Sequence, residues 1–106
     1  MARIVVAGAG AIGASIAYRL ATAGARDVVL ADVAEVASGA TAKAMGGVRQ
    51  QFSTAAEVRL AQESIAFFST LPRELFDPLG YLFLATTEAG MEKLRQSLRP
   101  MMEAGA

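Results

Sequence analysis

Ile4-Val5-Val6-Ala7-Gly8-Ala9-Gly10-Ala11-Ile12-Gly13 stands near the start of the chain, and Asp32 follows nineteen residues after the last of these glycines. A short apolar run, three glycines at this spacing and a downstream acid form the fingerprint of a βαβ dinucleotide-binding unit. Each element has its own physical task. Gly8 permits the tight turn out of the strand. Gly10 lacks a Cβ, so backbone can approach a pyrophosphate, and Gly13 lets the next helix pack closely on the strand. The helix N-terminus offers unpaired N–H groups and a positive dipole end to phosphates. Asp32, at the end of a second strand, can accept hydrogen bonds from ribose hydroxyls.

The flanking residues agree with that reading. Ala17, Leu20 and Ala21 follow Gly13 at helical spacing, and Gly24 is placed to end the helix. Val28-Val29-Leu30-Ala31 is an apolar run suited to a buried parallel strand. Residues 2–8 are therefore expected as strand one, 11–24 as the first helix and 27–32 as strand two. Ile12, Ile16, Ala17 and Leu20 are the stripe expected to pack on the sheet.

Composition narrows the function classes. The chain has 106 residues, 54% of them apolar, enough for one small domain with a core. Ten basic and ten acidic side chains balance, which argues against a nucleic-acid surface. No apolar run reaches the roughly 18 residues of a membrane span. Arg3 precedes an apolar stretch, as in a signal peptide, yet the glycines fall where the fold needs them; a cytoplasmic protein is expected. Cys and His are both absent. That removes disulfides, the usual zinc or haem ligands and any Cys–His or Ser–His nucleophile, and no metal site is expected. Redox chemistry then has to come from a bound cofactor.

Beyond Asp32, the stretch from Val33 to Gly47 is too small-residued for an ordinary amphipathic crossover helix. Ser38-Gly39-Ala40-Thr41 reads as the start of a short helix and Gly46-Gly47 as its end. Thr54 and Glu57 have capping-box spacing, and Val58, Ala61, Ile65, Phe68 and Leu71 mark the buried stripe of a longer helix. Glu57, Arg59, Gln62 and Glu63 suit its wetter side. Pro72 and Pro78 bracket a loop. Tyr81-Leu82-Phe83-Leu84-Ala85 reads as a strand, and Thr86 or Thr87 as the cap of a last helix carrying Met91, Leu94 and Leu98. Pro100 is expected to end or bend that helix. Phe52, Phe67, Phe68 and Phe83 are expected in the core, with Met91, Met101 and Met102 in core or boundary packing. Strand one would keep an apolar edge uncovered, a form that folded proteins avoid, so the chain reads as the opening part of a larger protein. That edge would also permit self-association or contact with another subunit.

Ser38-Gly39-Ala40-Thr41, Gly46-Gly47-Val48-Arg49-Gln50-Gln51-Phe52 and Gly80-Tyr81-Leu82-Phe83-Leu84, joined to the three glycines and Asp32, resemble one family. It is the FAD-dependent D-amino acid oxidase/sarcosine oxidase family, here in the manner of the sarcosine oxidase β-subunit and related amine or amino-acid dehydrogenases. The likeness covers essentially the whole chain, and members of the family are several times longer. It implies an α/β fold: a Rossmann-like, glutathione-reductase-type FAD-binding βαβ unit followed by the start of a substrate-domain sheet. The corresponding segments are 1–52 for the FAD-binding part, 53–79 for a connecting helix and loop, and 80–106 for the beginning of the substrate domain.

The resemblance also implies roles. Gly8, Ala9, Gly10, Ala11, Ile12 and Gly13 would face the pyrophosphate of FAD, and Asp32 with Val33 the adenosine ribose. The family usually carries Glu there, so Asp32 is a mild departure. Ser38, Gly39 and Thr41 would add contacts to the pyrophosphate and ribityl region, although Ser and Thr at helix starts usually cap. Gly46, Gly47 and Val48 would lie against the isoalloxazine, the alternative being a flexible loop. Arg49 would bind the substrate carboxylate, as a matching arginine does in sarcosine oxidase relatives; an ordinary surface arginine is the competing reading. The implied reaction is oxidation of a C–N bond by hydride transfer to the flavin, giving an imine that water hydrolyses. Covalent flavin links in this family run through Cys or His, and neither occurs here.

Two other readings stay open on the residues alone. One is a small NAD-binding Rossmann dehydrogenase, favoured by Asp32 and disfavoured by the missing second crossover helix. The other is a non-catalytic dinucleotide-binding subunit.

Overall fold

The computed structural model describes residues 3–106. The chain folds as two compact units, Met1–Gly46 and Gly47–Ala106.

In the first unit, β1 (Ile4–Ala7) leads into helix α1 (Ala11–Thr22) and returns as β2 (Val28–Ala31). The strands pair in parallel, Ile4 opposite Val28 and Ala7 opposite Ala31. A connection through one helix is what parallel pairing requires. The ladder is prolonged at both ends: the Ile4 N–H donates to Asp27 C=O at 2.8 Å and the Gly8 N–H to Ala31 C=O at 2.7 Å. Arg3 Nε and the Asp27 carboxylate meet at 3.1 Å where the two strands begin. Ala2, the first residue of the expected strand, lies outside the described residues.

Helix α1 stops two residues short of Gly24, which adopts φ +92°. The Gly24 N–H reaches Ala21 C=O and the Ala25 N–H reaches Leu20 C=O, both at 3.0 Å, which is a Schellman closure. The face that packs on the sheet keeps Ala17 and Leu20 of the expected stripe but not Ile12 and Ile16. Gly13 is buried, while Ala14, Ala17 and Leu20 are half-buried. Ile12 is 79% exposed and Ile16 47%. The reason is steric: close approach at Gly13 rotates the small residues inward and leaves the isoleucines outside.

Helix α2 (Ala40–Lys43) is a single turn, shorter than the segment between Ser38 and Gly47 suggested. Gly39 is its N-cap, with no side-chain cap, so neither Ser38 nor Thr41 caps it. Gly46 does break the chain direction after it, at φ +71°.

In the second unit, helix α3 (Ala55–Phe68) starts at Thr54, whose hydroxyl accepts from the Glu57 N–H at 3.3 Å. The reciprocal half of the capping box is altered: the Glu57 carboxylate takes the Thr54 hydroxyl at 2.7 Å. Val58 is fully buried, and Ala61, Ile65, Phe68 and Leu71 are half-buried, the expected stripe. Gln62 departs from the wet side; its amide donates to Ala104 C=O at 3.1 Å, tying α3 to the end of the next helix. Phe68 meets Phe76 at 5.7 Å between centroids.

Helix α4 (Glu88–Glu103) is capped by Thr87, whose hydroxyl accepts from the Gly90 N–H at 3.1 Å. Thr87→Ala is expected to cost about 1 kcal/mol, the usual worth of such a cap. A thermal melt followed by circular dichroism should fall by roughly 4–8 °C.

Three further expectations need correction here. Pro100 does not end α4, which continues three residues past it; the proline removes one backbone donor, and the helix runs on to Glu103. Residues 81–85 form no strand, because no neighbouring strand among the described residues supplies a ladder. The start of a second sheet is thus not formed, and the only sheet described is the two-stranded one, which leaves the outer edge of β1 unpaired. Lastly, Phe83 at 43% and Met102 at 73% exposure lie outside the core, as do Leu98 and Met91. Side chains on an unpaired segment or an outer helix face are not enclosed by a second layer, so they stay partly open to solvent.

Candidate functional site

The first unit places the glycine turn between β1 and α1. Gly8 adopts φ +103°, a conformation that L side chains rarely take. A Cβ on Gly13 would collide with the Gly8 carbonyl oxygen and sit 2.9 Å from its carbon. Helix and strand therefore meet at backbone distance. A Cβ on Gly10 would stand 3.1 Å from the Thr41 hydroxyl, so that position too is shaped by a neighbour.

Asp32 points at the turn. The Ala9 N–H donates to its Oδ2 at 2.6 Å and the Ala34 N–H to its Oδ1 at 2.9 Å. These backbone donors, Ala9 foremost, then Ala34 and Val33, hold the carboxyl below its ordinary value of 3.8, with partial desolvation pulling the other way. Each carboxylate oxygen can accept more than one hydrogen bond, so acceptor capacity remains for other donors.

The start of α1 is partly capped from a distance. The Thr41 hydroxyl accepts from the Ala11 N–H at 2.9 Å. The first helical bond runs from the Ala14 N–H to Gly10 C=O at 2.9 Å. The N–H groups of Ile12 and Gly13 meet no protein acceptor among the described residues. They remain available to an anion at the positive end of the helix. The turn thus has a close-packed glycine, open donors and a facing carboxylate, a set that fits a dinucleotide's diphosphate and ribose.

Other expected residues of this unit fall less centrally. The Ser38 hydroxyl donates to Glu35 C=O at 2.7 Å, closing its own turn. Val33 is fully exposed, and Gly39 has open space about it. Ala37 was not singled out by the sequence. It adopts φ +61°, and its N–H donates to Ala9 C=O at 3.0 Å, binding this loop to the glycine turn. Nothing in the composition around Ala37 signals a left-handed residue, which ordinarily calls for Gly or Asn.

The second unit has its own cluster. Gly47, Val48, Arg49, Phe52, Ala61, Ser64 and Tyr81 line a cleft of about 450 Å³. Gly47 backs onto the Tyr81 hydroxyl, where a Cβ would clash unless that side chain swung aside. The Arg49 guanidinium lies over the Phe52 ring, 5.1 Å from its centroid, and over the Phe83 ring at 5.4 Å. The Gln51 amide donates to Tyr81 C=O at 3.1 Å, securing the segment that carries Tyr81 and Phe83. Neither ring was signalled as a partner of Arg49: Phe52 lies three residues on in a stretch that is not helical, and Phe83 lies thirty-four residues away.

No group of three metal-binding side chains occurs among the described residues, nor is any described helix long and apolar enough to cross a membrane.

Sequence comparison finds relatives of this chain among known proteins. Over 97 residues the chain is 35% identical to a 4-methylaminobutanoate oxidase (formaldehyde-forming) of Paenarthrobacter nicotinovorans, a match covering 87% of this chain and 12% of that protein. Mitochondrial dimethylglycine dehydrogenase of Mus musculus is 31% identical over 103 residues, covering 92% of this chain and 12% of the relative. The Homo sapiens protein of that name is 30% identical over the same length. The chain therefore spans 12% of the length of these curated relatives. No solved structure matches it. Residues 3–106 match the DAO family, described as FAD dependent oxidoreductase, and the chain belongs to that family, whose cofactor is FAD.

Proposed function

We propose that this chain is the FAD-binding segment of a flavin-dependent oxidoreductase that oxidises the C–N bond of an amino acid or secondary amine. The observation that carries this reading is the Asp32 carboxylate turned onto a glycine turn whose helix donors are open. The Ile12 and Gly13 N–H groups, framed by the backbones of Gly8, Ala9, Gly10 and Ala11, receive the diphosphate. Asp32, with the Val33 backbone, accepts from the adenosine ribose through its remaining acceptor sites. Thr41, with Ser38 and Gly39 nearby in the chain, flanks the phosphates. Its hydroxyl accepts from Ala11 and keeps its own proton to donate. Gly46, Gly47 and Val48 offer backbone to the flat ring. Arg49 orients the substrate by gripping its carboxylate through two parallel N–H bonds. FAD, when bound, would supply the acceptor for the hydride lost from the carbon beside the amine nitrogen, as that C–N bond becomes C=N. The relatives, a 4-methylaminobutanoate oxidase and a dimethylglycine dehydrogenase, support a small methylated amine carrying a carboxylate.

Titrating the 106-residue chain with FAD should quench flavin fluorescence, and ADP should compete. Enhanced NADH fluorescence without a flavin response would shift the reading to a nicotinamide domain, and no response to either would overturn it. A chain spanning 12% of its relatives is expected to reduce no dye with dimethylglycine. Measurable amine-dependent reduction would contradict that part.

A further inference from the structure

Arg49 is held in an unusual way for an exposed arginine. Among the described residues no ion pair includes it, and its recorded partners are two aromatic rings. Phe52 lies three residues on in the chain, whereas Phe83 comes from the segment beyond the Pro72–Pro78 loop. The Phe83 ring is itself stacked on Tyr81, with centroids 6.3 Å apart and planes 24° apart. A guanidinium resting on ring faces gives up none of its N–H donors, because the donors lie in its plane and the rings attract its flat surface. The same contacts restrict a long side chain that would otherwise lose much rotamer freedom on binding.

We propose that Phe52 and Phe83 are positioning residues for Arg49. They hold its guanidinium at the cleft with the N–H edge open, so that a carboxylate binds a receptor already ordered. The inference rests on the reading of Arg49 as the carboxylate receptor and adds the two residues that prepare it.

The test uses the 106-residue chain, acetate as the probe, and NMR of the Arg49 side chain. In the parent chain, ring currents should shift the Arg49 Cδ protons upfield, and acetate should move its Nε–H resonance. Phe52→Leu and Phe83→Leu should each abolish part of the ring-current shift and weaken acetate binding roughly threefold, the scale of a cation–π contact at an exposed site. Phe52→Tyr and Phe83→Tyr keep a ring face and should retain both signals, which separates positioning from general loss of packing. Loss of the ring-current shift with unchanged acetate affinity overturns the proposal and leaves Arg49 as receptor intact. No acetate response in the parent chain, with the ring-current shift present, overturns the receptor reading itself. Weakening by the Tyr variants equal to that by Leu also overturns it, because packing would then explain both.

Discussion

Gly13→Ala is expected to be the most destabilising single-methyl change in the first unit. The new Cβ would fall on the Gly8 carbonyl oxygen and lie 3.5 Å from Val6 Cγ1. Gly8 cannot easily yield, since its N–H is bonded to Ala31 C=O at 2.7 Å and its φ of +103° already closes the turn. Relief would require α1 to lift away from β1. Overpacking of this sort costs about 1–3 kcal/mol, and backbone against backbone belongs at the upper end. For a chain of this size that is roughly 10–20 °C in a thermal melt. The same displacement moves the Ile12 and Gly13 N–H groups, so FAD affinity should fall with stability. A melt within about 2 °C of the parent would show that helix and strand do not meet as described.

Asp32→Ala should have the largest effect on cofactor binding. It removes a charged acceptor and leaves the Ala9 and Ala34 N–H groups without their partner. Loss of a hydrogen bond to a charged group typically weakens binding about ten- to a hundredfold. Asp32→Asn should fall between, because its amide offers one oxygen where the two backbone donors use two. The acid limb of stability supplies an independent readout. The Asp32 carboxyl is held below 3.8 in the folded chain, chiefly by the Ala9 N–H. Its folded value is depressed, so its contribution is fully present above the unfolded value and is lost as pH falls through the lower folded one. The stability gap between parent and Asp32→Asn should therefore be constant above the ordinary carboxylate range and close below it. A gap independent of pH down to full protonation would mean that the backbone bonds to Asp32 are not formed in solution.

Much of the local architecture could be read from residue spacing, for reasons that are themselves local. Gly24 closes α1 because only a residue tolerant of positive φ completes the Schellman turn. Thr54 and Thr87 start helices because a side-chain oxygen satisfies an orphan N–H three residues on. The partnership of Asp32 with the glycine turn was also legible, since a βαβ crossover of fixed length brings the end of β2 beside the end of β1. On α1, Ala17 and Leu20 lie on the inner side as expected, whereas Ile12 and Ile16 do not, because hydrophobicity marks them while the packing distance is set by the absence of side chain at Gly13. Residues 81–85 have strand chemistry, yet a strand exists only where another edge completes its ladder.

Residue order alone thus settled the family, the strand–glycine turn–helix order of the first unit and the starts of the chain's long helices, all of which depend on neighbours within a crossover's length. The folded chain was needed to show that Thr41 reaches back to Ala11, that Ala37 fastens its loop to Ala9, and that Phe83 comes to rest against Arg49. Those contacts join positions whose separation in sequence carries no periodic signal. Each is set by the path of an intervening loop, and a loop's path is decided by packing in space.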